Sequence, residues 1–232
     1  MHTEIIGKRK SIRKYKPENL DEATLAQVRQ KLAEVTPIYP ETPYRVKIVS
    51  QVKRAFGINA PHYLLFYGER QEKSNVNIGF IGQQLDLFFS ENGIGACWVG
   101  MAKAEQAEEE GLPFTIAIAF GKPAEPLHRT PQDYKRKALA AISQGEDKRL
   151  EAARLAPSGI NAQGWYFIAE DGKIHAYRKK PNPLLGLFAG ALGEIDLGIA
   201  LWHIASESNT FSFVKEENPP QQKGFIYVGT VV

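Results

Sequence analysis

The sequence has one cysteine, five histidines and a formal net charge of only +3 in 232 residues. The single cysteine, Cys97, cannot form an internal disulfide, and its apolar neighbours predict a buried structural thiol in a reducing cytoplasm. His62 and His203 lack metal-ligand spacing to another His or Cys, so we expect both to be structural and no metal to be bound. The small net charge gives no indication of nucleic acid binding.

Long hydrophobic runs are also missing. The longest candidate, residues 184–193, is about half as long as the roughly 20 residues that a membrane span needs, and glycines interrupt it. The start of the chain is polar and basic and lacks the apolar region of a signal peptide. We therefore expect no membrane partner. A hydrophobic content of 43% suffices for one large domain or two closely packed ones.

Apolar periodicity and turn residues predict two similar series of helices and strands. Helices are predicted over residues 20–32, 78–90, 146–155 and 194–206, with a further Glu-rich helix after residue 101. Strands are predicted over residues 44–49, 63–67, 96–101, 114–120, 165–169, 173–178 and 224–231, with a hairpin turn at Asp171 and Gly172. The strands are too irregular for a βαβ series, so we predict an α+β fold in which helices cover an antiparallel-rich sheet.

The chain nearly repeats itself. Residues 153–169 align without a gap with residues 33–49, a shift of 120 (153 minus 33). Residues 196–204 align with residues 77–85, a shift of 119 (196 minus 77). We predict two tandem degenerate copies, residues 1–125 and 126–232, that pack as one compact unit.

The two copies retain different polar segments. The second has the turn PSGIN, residues 157–161, where the first has Ile38 and Glu41. Only the first has the basic segment RKSIR, residues 9–13, and the glycine-rich segment GIGACWVG, residues 93–100. Two half-sites that are each incomplete predict one shared site between the copies.

Three segments together resemble the FMN-dependent nitroreductase family. RKSIR followed by Tyr15 is similar to the family's opening R-x-S-x-[RK]-x-[FY], and residues 77–100 resemble its central helix and the following loop. Residues 153–165, ARLAPSGINAQGW, resemble its A-x-x-A-P-S-x-x-N-x-Q-P-W turn, with Gly164 in place of the proline. In a family subunit this turn precedes the central helix, whereas here it follows it. The chain therefore resembles the family's homodimer fused into one polypeptide, which implies a monomer.

The resemblance implies one FMN per chain, held between the copies. The basic segment would bind the phosphate and ribityl chain, and Arg13 would face the O2 edge of the flavin ring, because guanidinium groups form charge-assisted hydrogen bonds with anions. The backbone N–H of Gly100 would lie near the reactive N5, so no catalytic side chain is expected. The implied cofactor-binding residues are Arg9, Lys10, Ser11, Arg13, Val99, Gly100, Met101, Arg136, Pro157, Ser158, Gly159, Asn161 and Gln163.

Arg136 has two interpretations. It is similar to the basic residue that the family places on the phosphate near the C-terminus. Its segment KRKALAAI also aligns with KRKSIRKY at a shift of 127 (136 minus 9), with Ala138 and Ala140 in place of Ser11 and Arg13. Under either interpretation a second flavin would lack a complete set of ligands.

The expected activity is that of a flavin oxidoreductase acting on a small-molecule substrate. NAD(P)H would reduce the flavin at N5 and leave, and a nitroaromatic, quinone or similar acceptor would then be reduced in the same place. Two other classes stay open: a protein that stores or senses FMN without turnover, and a degenerate fold kept for protein interaction.

Overall fold

The computed structural model describes residues 3–181 and 186–232, so part of the apolar stretch at 184–193 lies outside the described residues. Its helices are α1 (Thr3–Lys8), α2 (Glu22–Glu34), α3 (Glu72–Glu91), α4 (Arg149–Arg154) and α5 (Gly186–Ser206). Its strands are β1 (Tyr44–Val49), β2 (His62–Gly68), β3 (Gly95–Val99), β4 (Glu108–Glu109), β5 (Leu112–Gly121), β6 (Ser143–Gln144), β7 (Trp165–Glu170), β8 (Lys173–Lys179), β9 (Phe213–Val214) and β10 (Phe225–Val231). No helix in this part of the chain is long and apolar enough to cross a membrane.

The strands form two sheets with the same strand order. The first sheet has the order β1-β2-β5-β3, and the second has β7-β8-β10-β9. If the short strands β4 and β6 are left out, each sheet places the first two strands of its half side by side, followed by the last strand and then the third. The short strand β4 pairs with β5, and β6 runs parallel to β7, whereas the other pairs are antiparallel. The predicted α+β class is confirmed, with two sheets instead of one.

The two central helices, α3 and α5, pack on each other, and each also packs on the sheet of its own half. A Cβ atom added to Gly79 would lie 2.0 Å from the carbonyl oxygen of Ile195, and one added to Gly198 would lie 2.0 Å from that of Val76. Both pairs of corresponding residues are 119 positions apart (198 minus 79 and 195 minus 76), so the contact is reciprocal. The two helix backbones can approach this closely only where a side chain is absent.

The two histidines that we expected to be structural are both buried. His203 Nδ1 lies 2.8 Å from the carbonyl oxygen of Ala152, and its Nε2 lies 3.1 Å from Gln83 Nε2. Burial lowers the pKa of His203 to about 3, so the ring is neutral. His62 accepts a hydrogen bond from the Leu20 N–H at 3.0 Å.

The prediction of a Glu-rich helix after residue 101 is wrong. Glu108 and Glu109 form β4, and Glu110 and Gly111 make the turn to β5 with φ angles of 49° and 79°. Glu109 pairs with Lys47 at 2.9 Å, and Glu110 pairs with Arg45 at 2.6 Å, both on β1. The turn and the pairing of β4 with β5 oppose the helical tendency of the alternating Ala and Glu residues, and the exposed ion pairs add little.

The ends of the central helices also differ from the prediction. α3 begins at Glu72, six residues before the predicted start (78 minus 72). The apolar pattern did not reveal these first turns because they carry polar residues. Ser74 and Asn75 in these turns are nevertheless buried. The hairpin turn is confirmed, since Asp171 and Gly172 have φ angles of 50° and 75°.

Candidate functional site

A group of arginines lies where the basic start of the chain meets the second half. The Arg9 side chain is only 2% exposed, and its Nε donates to Asp86 Oδ2 at 2.6 Å. Arg9 Nη2 donates to Ser11 Oγ at 3.0 Å. Because Arg9 and Asp86 form a buried ion pair, this guanidinium is already neutralised and held in one orientation.

Arg129 and Arg136 come close to Arg9 without a comparable partner. Both donate to the carbonyl oxygen of Leu155, at 3.2 Å and 3.4 Å. Burial, followed by the repulsion of neighbouring arginines, lowers the pKa of each to about 10. Among the described residues neither forms an ion pair, and the Nε of Arg136 is buried without a hydrogen-bond partner. Guanidinium groups in such surroundings would be stabilised by an anion.

The polar turn of the second half has a strained backbone. Ile160, Asn161 and Gln163 have φ angles of 48°, 58° and 46°, a region that residues other than glycine rarely adopt. The side chain of Ile160 is fully exposed, so burial does not stabilise this conformation. Strain of this kind persists only where surrounding contacts hold it, and it is commonest at functional sites.

The segment Lys135–Arg136–Lys137 supplies those contacts. Asn161 Oδ1 accepts from Arg136 Nη1 at 2.7 Å, and Asn161 Nδ2 donates to the Lys135 carbonyl oxygen at 2.7 Å. The Lys137 N–H donates to Gln163 Oε1 at 2.7 Å. Three predicted site residues, Arg136, Asn161 and Gln163, are therefore brought together. The side-chain amides of Asn161 and Gln163 are both hydrogen-bonded to the segment Lys135–Arg136–Lys137.

A buried carboxyl group fixes the other side of the turn. Asp196 Oδ1, on α5, accepts from the Gly159 N–H at 2.9 Å. In the first half, Asn77 Oδ1 on α3 accepts from the Tyr39 N–H at 2.9 Å. The donors are 120 positions apart (159 minus 39) and the acceptors 119 (196 minus 77), so the two hydrogen bonds correspond. Burial raises the pKa of Asp196 from 3.8 to about 7, although the Gly159 hydrogen bond lowers it.

Asp196→Asn is expected to remove a pH dependence of stability. The raised pKa means that the folded chain binds this proton more tightly than the unfolded chain does. The resulting stabilisation is fully present below pH 4 and is lost as the pH rises through 7, with an upper bound of about 4 kcal/mol. Urea denaturation at pH 5 and pH 8 measures the change in the free energy of unfolding. The variant keeps a hydrogen-bond acceptor for Gly159, as Asn77 does for Tyr39. If the free energy of unfolding still differed between the two pH values as it does in the unmodified protein, the assignment would be contradicted.

The glycine-rich segment approaches this turn from the first half. Val99 ends β3 and is buried, Gly100 follows, and the side chain of Met101 is 53% exposed. A Cβ added to Gly100 would lie 3.3 Å from one δ-methyl group of Leu192, and one added to Gly159 would lie 3.8 Å from the other. One leucine side chain on α5 therefore separates the glycine-rich segment from the polar turn.

The remaining predicted residues lie around the basic start. Ser11 accepts from Arg9, and burial raises the pKa of Cys97, as expected for a structural thiol. The Arg13 side chain is exposed, and its backbone N–H donates to Glu125 Oε1 at 2.7 Å. The Arg13 N–H, followed by that of Lys14 and by the charge of the half-buried Lys10, lowers the pKa of Glu125. The contact of Arg13 with a flavin ring stays a prediction.

Several residues of the site were not singled out from the sequence. Arg129 lies in a connection of prolines and charges that resembles an ordinary surface loop. Asp86 and Leu192 lie within apolar helical patterns that give no indication of a role in the site. Asp196 lies in such a pattern too, and only its alignment with Asn77 sets it apart. Within residues 3–181 and 186–232, no group of three side chains could hold a metal ion.

Comparison with known proteins identifies the family. The model of the family described as "Putative TM nitroreductase" matches residues 2–208 of the chain. The protein therefore belongs to this nitroreductase family. A search of curated proteins finds no match.

Similar solved structures come from several bacteria. One from Thermotoga maritima, described as a "putative nitroreductase", has 22% identity and a TM-score of 0.67, covering 99% of this chain and 91% of that chain. A nitroreductase family protein from Clostridium difficile 630 has 16% identity and a TM-score of 0.53, covering 62% of this chain and 97% of that chain. A nitroreductase with bound FMN from Desulfitobacterium hafniense DCB-2 has 17% identity and a TM-score of 0.46, covering 59% and 97%. At these identities the likeness concerns the fold alone.

Proposed function

We propose that the protein is an FMN-dependent oxidoreductase of nitroreductase type. NAD(P)H is the proposed reductant, and a nitroaromatic, a quinone or a similar small molecule is the proposed acceptor. The observation that carries the proposal is the convergence of the arginine group, the strained turn and the glycine-rich segment around α5. Family membership and this convergence support the same assignment by independent routes.

The residues of the arginine group fit the phosphate of FMN. Arg129 and Arg136 form no direct ion pair with a described carboxylate, and the Nε of Arg136 is a buried donor without a partner. The Ser158 hydroxyl accepts from the Gln163 N–H at 2.9 Å, so its own proton is directed elsewhere and can serve a ribityl hydroxyl. Arg9 is engaged by Asp86, and we assign it the role of holding Ser11 in place.

The chain's contribution to the reaction is binding and orientation. FMN, when bound, supplies the two-electron chemistry. Gly100 has no side chain, so a planar ring would meet no Cβ at this position and could approach its backbone N–H. Leu192 supplies an apolar surface beside it, and Lys10 and Arg13 supply positive charge at the start of the chain. No described side chain needs to act as a general acid or base under this assignment.

We further propose that the two halves, residues 1–125 and 126–232, form an intramolecular pseudo-dimer with a single flavin site, and that the protein is a cytoplasmic monomer. The repeated strand order and the reciprocal contacts of Gly79 and Gly198 support the duplication. The different polar segments of the two halves support one site instead of two. Because each half covers the central helix of the other, a second chain is not needed to bury it.

The visible spectrum of the purified protein tests the assignment. We expect the two absorbance bands of oxidised flavin, and we expect NADH or NADPH to remove them within seconds under anaerobic conditions. A yellow protein that either nucleotide reduces only over hours would indicate storage or sensing instead. A colourless protein whose melting temperature does not change with added FMN would contradict flavin binding altogether.

A further inference from the structure

We propose that the cleft beside the glycine-rich segment binds a planar aromatic ligand that carries a carboxylate. The assignment of this ligand as the electron acceptor rests on the proposed function, whereas the binding itself does not. The cleft has a volume of about 1010 Å³ and lies between Gly100–Lys103, the loop that contains Phe56, and the part of α5 near Glu194. This volume is large enough for an aromatic system of one or two fused rings.

An exposed aromatic ring forms part of the cleft wall. Phe56 is 44% exposed and has a φ of 47°, a conformation that is costly for a bulky residue. The guanidinium of Arg54 lies 3.9 Å from the centre of its ring and so covers one face. Met101, 53% exposed, lines the same cleft, and a second planar ring can lie against these two apolar surfaces.

The position of this ring is fixed relative to Gly100. The loop that carries Phe56 is tied to the glycine-rich segment by a two-way backbone bridge: the Arg54 N–H donates to Lys103 O at 3.2 Å, and the Lys103 N–H donates to Arg54 O at 2.8 Å. The Ile58 N–H also donates to Ala55 O at 3.0 Å, which closes the turn around Phe56. A ligand stacked on Phe56 therefore lies beside the segment to which we assign the flavin ring.

The charges of the cleft favour an anion on the side of the first half. Glu72 and Glu194 both pair with Arg178, at 2.6 Å and 3.2 Å, so the two carboxylates share one cation and the group keeps one negative charge. Lys103 and Arg70 line the cleft, are exposed, and form no ion pair with any described residue. Glu69 is the remaining acid of the lining. The lining thus carries three cations and three acids, and Arg54 on the Phe56 ring adds a fourth cation, so a carboxylate on the ligand would be attracted to this side of the cleft.

Isothermal titration of the oxidised holoprotein, without reductant, tests the proposal. The probes are 4-nitrobenzoate and its neutral analogue 4-nitrobenzyl alcohol at low ionic strength. We expect the carboxylate to bind at least about threefold more tightly, the scale of exposed charge interactions. The double variant Lys103→Gln, Arg70→Gln should remove this preference. Phe56→Ala should weaken the binding of both probes to the same extent. Lys53→Gln, on the same loop, is the control and should leave the binding of both probes unchanged.

Equal affinities of the two probes for the unmodified protein, or a preference that survives in the double variant, would overturn the proposal. Because the titration measures binding and not turnover, it separates the proposal from the proposed function. Reduction of the flavin by NAD(P)H with no preference between the probes would leave the function intact and remove the ligand class. Selective binding of the carboxylate to a protein whose flavin NAD(P)H never reduces would support the ligand class and contradict the proposed function.

Discussion

Replacing Arg129 and Arg136 together by alanine is expected to lower the affinity for FMN at least about 100-fold. Each guanidinium would form charge-assisted hydrogen bonds with the phosphate, and such bonds contribute about 1.5–3 kcal/mol each. Both groups are confined by burial and by the Leu155 carbonyl oxygen, so little side-chain freedom is lost when the anion binds. The dissociation constant follows from the quenching of FMN fluorescence, and the loss should shrink as salt is added.

Arg136 also holds Asn161, so the alanine variant changes the turn as well as the charge. Arg136→Lys keeps the charge and loses the hydrogen bonds of the guanidinium, which separates the two effects. Arg45→Ala, which removes an exposed ion pair on β1, is the control and should leave FMN affinity unchanged. If the double variant bound FMN as tightly as the control, the phosphate would have to lie elsewhere.

Gly79→Ala and Gly198→Ala are each expected to destabilise the protein by about 3 kcal/mol or more. The added Cβ would lie 2.0 Å from a backbone carbonyl oxygen of the opposite helix, and no rotamer change can relieve that contact. The helices would have to separate, which places the cost at the upper end of that for overpacked cores. Such a loss is a large part of the 5–15 kcal/mol that typically stabilises a folded domain. Urea denaturation followed by circular dichroism measures it.

Gly193→Ala provides the matched control on the same helix. A Cβ added there meets nothing within 4 Å, so the variant should gain about 0.5–1 kcal/mol from the lower flexibility of the unfolded chain. The difference between Gly198→Ala and Gly193→Ala therefore reports the approach of the two helices and not helix propensity. Equal unfolding midpoints for these two variants would show that the helices do not meet at Gly198.

The sequence predicted those parts of the fold that depend on local periodicity. The strand over Tyr44–Val49, the hairpin at Asp171 and both central helices follow from alternation, turn residues and apolar spacing. The Glu-rich helix is absent because the pairing of β4 with β5 and the left-handed turn at Glu110 and Gly111 outweigh local propensity. The six-residue helix α1 was missed, since its apolar residues Ile5 and Ile6 are too few to establish a period.

The candidate site could be predicted only where it carries a recognisable segment. The basic start, the glycine-rich segment and the polar turn each have distinctive residue types, and that they share one site stays a prediction from the near repeat. Pairings between distant residues left no such trace. Nothing in the sequence indicates that Asn161 bonds to Lys135, that Arg9 is neutralised by Asp86, or that Leu192 lies between the two glycines.

The amount of FMN bound per chain tests the single shared site most directly. Titration of the purified apoprotein with FMN, combined with light scattering on the same sample, gives the stoichiometry and the molar mass together. We predict one FMN per chain and the mass of a monomer. Two FMN per chain would mean that both halves kept a complete site, and the molar mass of a stable dimer of chains would contradict the intramolecular arrangement.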